Sequence, residues 1–149
     1  MRVILVNQHY APDPAPTGRL LSDVGEALAY KGHEVITVCS LHAYDSYGPP
    51  LARRETRNGV RVIRVGGTSF AQRRRIGRVT NYLSFFALAV LQLARLKSVD
   101  VFVCLSTPPL LAAIVQRFAS LRRARFVYWV MDVYPEIAYA LGHLRRSSL

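Results

Sequence analysis

The chain has 149 residues, 51% hydrophobic and 19% charged, which suits one globular domain with a sizeable core and excludes a disordered tail. Its net charge of +11 is carried almost wholly by arginine, Lys31 and Lys97 being the only lysines. That balance attracts nucleic acid, anionic lipid or phosphorylated small molecules without choosing among them, whereas two cysteines without metal-site spacing argue against a zinc site or a disulfide framework.

The opening MRVILVNQHY holds an apolar core of only four residues, and no small-residue cleavage site follows. It reads as a strand and not a signal peptide, and with the cysteine usage it points to a cytoplasmic protein. RVILVN is a continuous apolar run of the kind found in buried parallel strands. APDPAPTG follows, too rich in proline for regular structure, and Thr17 is the expected N-cap of a helix beginning near Gly18 or Arg19. Leu21, Val24 and Leu28 repeat at helical spacing until Gly32 stops the helix, and HEVITVC is the second strand. Residues 41–57, centred on Gly48-Pro49-Pro50, are predicted irregular. In NGVRVIRV, Asn58-Gly59 marks a turn, and Val60, Val62 and Val65 favour a third strand. Residues 66–78, GGTSFAQRRRIGR, form a basic loop before a long helix from about Ile76 to Leu96. VDVFVCL is the fourth strand, STPPL the loop after it, Pro109–Leu121 a helix, and ARFVYWVM the fifth strand.

This alternation predicts an α/β domain, a doubly wound Rossmann-like parallel sheet spanning residues 1–149. In such sheets ligands bind beyond the carboxyl ends of the strands, near the point where strand order reverses. The loops at 8–18, 106–109 and 131–135 should therefore share one edge. Neither a G-x-G-x-x-G after the first strand nor a G-x-x-x-x-G-K-[ST] occurs, which disfavours a nicotinamide enzyme or a P-loop ATPase. The fifth strand ends on Asp132, with Pro135 placed for the first turn of a following helix.

YAPDPAPTGRLLSDVGEALAYKGHEVITV resembles the opening of family 4 retaining glycosyltransferases of the GT-B fold, and NGVRVIRV is similar to their third strand. VMDVYPEIAYALG resembles the Asp-x-x-Pro-Asp/Glu segment of the bacterial cell-surface polysaccharide branch. The resemblance implies the acceptor-side N-terminal half of a two-domain enzyme. Its C-terminal domain, which would grip the nucleotide-sugar and carry paired glutamates, is absent from this sequence, so the fragment alone is expected to be inactive. No metal or other cofactor is expected, the nucleotide-sugar being the donor substrate.

Several residues become candidates. Asp132 is the expected catalytic residue at the cleft mouth, set against a plain helix-capping role. A glycine before a helix permits close backbone approach to a phosphate, and by resemblance Thr17 and Gly18 would face the donor diphosphate; the bland alternative is a tight turn. His9, Tyr10, Tyr44 and Tyr47 fall in loops expected at the cleft edge, where aromatic rings would stack on an acceptor sugar. From Val79 to Ala94 there is no charge, short of the roughly 20 residues that a transmembrane helix needs. Arg73, Arg74, Arg75 and Arg78 precede that stretch and would meet anionic headgroups. The reading is thus a glycosyltransferase half acting on a saccharide or polyprenyl-diphosphate-linked acceptor, on the inner membrane face, in cell-surface polysaccharide synthesis. The rival is a non-catalytic Rossmann-like module for an anionic ligand or nucleic acid, although no nucleic-acid recognition motif accompanies the arginines.

Overall fold

Short aliphatic runs become strands because each can be buried on both faces, and the amphipathic segments between them become the helices that bury them. A computed structural model describes residues 1–42, 51–68, 75–108 and 110–131, and for residues 75–78 the backbone alone. In chain order the elements are β1 (Arg2–Val6), α1 (Pro16–Tyr30), β2 (Glu34–Ser40), β3 (Arg54–Arg57), β4 (Val60–Val65), α2 (Arg75–Arg95), β5 (Val101–Leu105), α3 (Leu111–Leu121) and β6 (Arg125–Trp129).

The six strands form one sheet in the order β3-β4-β2-β1-β5-β6. All neighbours are parallel except β3 and β4. Ile4 and Val6 of β1 face a core closed by Phe85, Ala89 and Leu93 of α2 and by Leu111, Val115 and Ala119 of α3. Val3 and Leu5 face the other way, toward Leu21 and Leu28 of α1. Helices therefore lie on both faces, as a doubly wound sheet requires. Each fully buried aliphatic side chain contributes about 1.5–3 kcal/mol, so β1, enclosed on both sides, anchors the fold.

The termination of α1 follows the sequence signal. Gly32 adopts a left-handed φ of 82°, its N–H reaches Ala29 O at 2.9 Å, and the His33 N–H reaches Leu28 O at 3.1 Å. These are the paired bonds of a Schellman motif, and they give His33 a structural place. The start of α1 corrects the sequence expectation. Ala15 is the cap residue with no side-chain cap bond, and Pro16 occupies the first turn. Proline's fixed φ suits that position, so the helix begins before Thr17 and not after it.

A second correction concerns residues 41–57. Arg54–Arg57 is not irregular but pairs antiparallel with β4, Arg57 opposite Val60. Asn58 and Gly59 both have positive φ, 46° and 82°. That is the turn chemistry that joins two strands into a tight hairpin. The sheet thus has six strands where five were expected. Residues 43–50, with Gly48-Pro49-Pro50, lie outside the described residues.

β1, β2, β4, β5 and β6 all end on one edge. Order reverses between β1 and β5, since the chain runs out through β2 to β4 and returns beyond β1 to β5. α1 leaves that edge over one face and α3 over the other.

Cys39 on β2 and Cys104 on β5 are both free, and they belong to cores on opposite faces of the sheet. Burial pushes each thiol up to about 12. For Cys39 the nearby Arg64 acts in the opposite direction without cancelling the effect. An unfolded cysteine titrates near about 8.5. Each folded thiol is thus raised, and the stability it contributes is full below that pH and is lost as pH rises from there toward 12. We expect two titratable thiols in the denatured, unreduced chain, very slow labelling of both in the native chain, and a urea midpoint that falls steadily as pH is raised above 9. Fast native labelling of either cysteine would contradict the two-face placement.

Candidate active site

The carboxyl edge is organised by the loop after β1. Asn7 is fully buried at the end of that strand. Its Nδ2 donates to His9 O at 2.8 Å and, more weakly, to Thr17 Oγ1 at 3.5 Å. Among the described residues its buried Oδ1 accepts nothing. The Ser40 N–H donates to Gln8 O at 2.8 Å, which fixes the loop against the end of β2.

His9 and Asp13 are paired across one turn of this loop. His9 Nδ1 lies 2.8 Å from Asp13 Oδ2, and the two side chains are only 11% and 2% exposed. An ionised carboxylate only accepts, so Nδ1 carries the proton and Nε2 is the acceptor nitrogen. The other Asp13 oxygen accepts the Ala15 N–H at 3.1 Å, immediately before α1. A carboxylate there is favoured by the positive end of the helix dipole. Asp13 therefore both orients the imidazole and caps the approach to the helix, a role the sequence reading missed. The only sequence signal is the spacing of a histidine and an aspartate four residues apart in a proline-rich loop.

Gly18 and Ser22 seat the loop on α1. A Cβ on Gly18 would lie 3.1 Å from His9 C and from Tyr10 N, both backbone atoms. Ser22 Oγ donates to Gly18 O at 2.7 Å and accepts the Ala11 N–H at 3.1 Å. The close approach that Gly18 permits is thus that of the chain's own loop, and this packing accounts for the glycine without a phosphate.

Tyr10 corrects the sequence expectation outright. It is 1% exposed and belongs to the core beneath α1. Its hydroxyl oxygen lies 3.0 Å from where a Cβ on Gly25 would sit, so Gly25 makes room for it. Burial pushes the phenol up to about 12, the neighbouring Thr37 and Ser22 hydroxyls offsetting part of the effect. A ring held there offers no face to a sugar. The loop position looked exposed because flanking prolines hide the inward turn of one aromatic residue.

The far side of the edge is closed by Ser106 Oγ, which accepts the Met131 N–H at 3.1 Å. The loops after β5 and β6 are therefore joined, and Met131 is the last described residue before Asp132 in sequence. The edge thus unites His9, Thr17, Gly18 and Ser106. Asp132, Tyr44, Tyr47, Arg73 and Arg74 lie outside the described residues, as do the side chains of Arg75 and Arg78. Among the described residues no group of three or more metal-ligating side chains converges.

A family model described as a glycosyl transferase 4-like domain matches residues 17–148. The chain belongs to this family. No curated protein matches it. A glycosyltransferase 4-like domain serves glycosyl transfer, with a nucleotide-sugar donor and a saccharide acceptor as the general partners, and the parallel sheet is the Rossmann-like half of a GT-B fold. In this domain the His9–Asp13 pair gives the edge an oriented hydrogen-bonding imidazole, with Thr17 and Gly18 as the floor beneath it.

Gly18→Ala tests whether packing explains that floor. The added methyl meets backbone, which yields less readily than a side chain, so we expect a loss of about 1–3 kcal/mol in urea unfolding with no ligand present. An unchanged midpoint would reassign Gly18 to ligand contact.

Proposed function

We propose that this domain is the acceptor-binding half of a retaining glycosyltransferase of bacterial cell-surface polysaccharide synthesis. The sugar passes from a nucleotide-sugar to a lipid-linked saccharide at the cytoplasmic face of the membrane. The observation that carries the reading is the convergence at one sheet edge of the His9–Asp13 pair and the joined loops at Ser106 and Met131, within a glycosyltransferase 4-like domain. Acceptors are held at such an edge because the strand ends supply rigid positions and the loops supply polar groups.

In this reading the His9 imidazole, fixed by Asp13, accepts a hydrogen bond from an acceptor hydroxyl. Thr17 and Gly18 act through the loop they seat, and Tyr44 and Tyr47 supply aromatic faces for sugar stacking. Asp132, next in sequence to the bonded Met131, acts on the donor sugar or the acceptor hydroxyl. The donor is gripped by a second domain of the complete enzyme, which carries paired glutamates, and the reaction proceeds without a metal. Arg73, Arg74, Arg75 and Arg78 precede the uncharged stretch of α2 and meet anionic headgroups, which keeps a lipid-linked acceptor near the edge. No helix among the described residues is long and apolar enough to cross a membrane, so the contact we propose is peripheral.

Asp132→Asn in the complete two-domain enzyme is the direct test. Asparagine caps a helix about as well as aspartate, so thermal stability should be nearly unchanged. Removal of the carboxylate should cost transfer about 100-fold or more if it stabilises charge at the reacting centre. The measurement is transfer of labelled sugar from the nucleotide donor to a saccharide acceptor. Normal turnover by the variant would leave Asp132 as a helix cap.

A further inference from the structure

The outer surface of α2 is unusual for a helix that covers a sheet. Phe85, Ala89 and Leu93 point into the core, as they should. Yet the opposite side, which faces water, is apolar too. Val79, Leu83 and Leu91 are 55%, 60% and 47% exposed, and Ala87 between them is also exposed. These four positions recur every fourth residue and form one stripe along the helix. A helix that is apolar all round is ordinarily buried on all sides.

Beside this stripe, between α2 and the β3–β4 hairpin, runs a cationic groove. It consists of two cavities of about 630 and 530 Å³ that share Arg54, Ile63, Gln92 and Arg95 on their walls. One cavity extends past Lys97 to Arg2, at the start of β1; the other rises past Thr68 toward the carboxyl edge. Glu55 is the only carboxylate in either wall, and it is paired with Arg64 at 2.7 Å. Arg2 and Arg61 are engaged by Glu34. Arg54, Arg95 and Lys97 have no carboxylate partner among the described residues. Leu88 and Leu91 belong both to the groove wall and to the exposed side of the helix. Free cations and exposed leucines are therefore contiguous.

We infer that the outer face of α2 and this groove together form a docking surface for an anionic lipid bilayer. The exposed side chains enter the headgroup boundary while Arg54, Arg95 and Lys97 meet lipid phosphates. A small soluble anion would use the cations and leave the leucine stripe in water. A bilayer uses both, which is why the observations favour it. The geometry also sets an orientation. α2 runs antiparallel to the strands, so its first turns lie beside the carboxyl edge, and a bilayer along the helix brings that edge to the lipid surface. The inference deepens the membrane-face part of the proposed function, rests on that part alone, and is independent of the assigned sugar chemistry.

The experiment is co-sedimentation of the 149-residue chain with vesicles of phosphatidylcholine alone or mixed with phosphatidylglycerol, over a range of salt. We expect binding to the mixed vesicles only, weakening as salt rises. Arg54→Gln, Arg95→Gln and Lys97→Gln combined should lower partitioning about 100-fold, at about fivefold per charge. A second variant, Leu83→Gln with Leu91→Gln, changes only exposed positions and should remove the binding that survives high salt. Equal binding to neutral vesicles, or full binding by either variant, overturns the inference. So does tight binding to soluble polyglutamate without vesicle binding, which would assign the surface to an acidic protein partner. Transfer to a water-soluble acceptor by the complete enzyme should be unaffected by either variant. A loss there alone would count against the proposed acceptor edge and not against the docking surface.

Discussion

The Arg64 guanidinium has no exposed surface, and three separate segments are arranged around it. Its Nη1 donates to Ala52 O at 3.0 Å, and its Nη2 donates to Ala11 O at 2.6 Å and pairs with Glu55 at 2.7 Å. Only its Nε is left without a partner. A buried cation is tolerated when its protons are matched, and removing a partner from such an arrangement costs about 3–5 kcal/mol. The consequence is spatial as much as energetic. The loop after β1, the segment before β3 and the β3–β4 hairpin are held to one point, and the loop so held contains His9 and Asp13.

The candidate site is therefore a property of the scaffold behind it. β1 is closed on both faces by helices and fixes where its loop begins. Gly18 lets that loop lie directly on α1, Ser22 bonds it there, and Arg64 holds its far side. Each contact removes freedom from a segment whose prolines already restrict it. The result is a polar edge whose side chains keep their positions before any ligand arrives, which lowers the ordering cost of binding.

The two surfaces of interest differ in character for a reason that lies in topology. Strand ends converge at the carboxyl edge, so it gathers loops, backbone donors and helix starts. The α2 surface gathers nothing from other elements on its outer side, and its chemistry is that of one uncharged helix beside a hairpin rich in arginine. An enzyme half that must meet both a polar sugar and a lipid carrier needs both kinds of surface in adjacent places.

Local patterns determined much of this molecule. Continuous runs such as VILV and VFVCL can be buried only as interior strands, Gly32 can end a helix because it tolerates a left-handed φ, and the uncharged stretch from Val79 makes a long helix. Asn58-Gly59 signalled a turn, but RETR contains too few β-formers to declare itself a strand; only pairing with β4 makes it one, since β-structure depends on a partner distant in sequence or joined by a turn. The same limit hid the rest. Nothing local distinguishes a buried Tyr10 from an exposed tyrosine in a loop, or Arg64 from the other arginines, or marks Asp13 as the partner of His9. Composition and periodicity report what a residue prefers. Burial, pairing and the close approach over Gly18 report what surrounds it, and those surroundings exist only once segments far apart in the chain have been brought together.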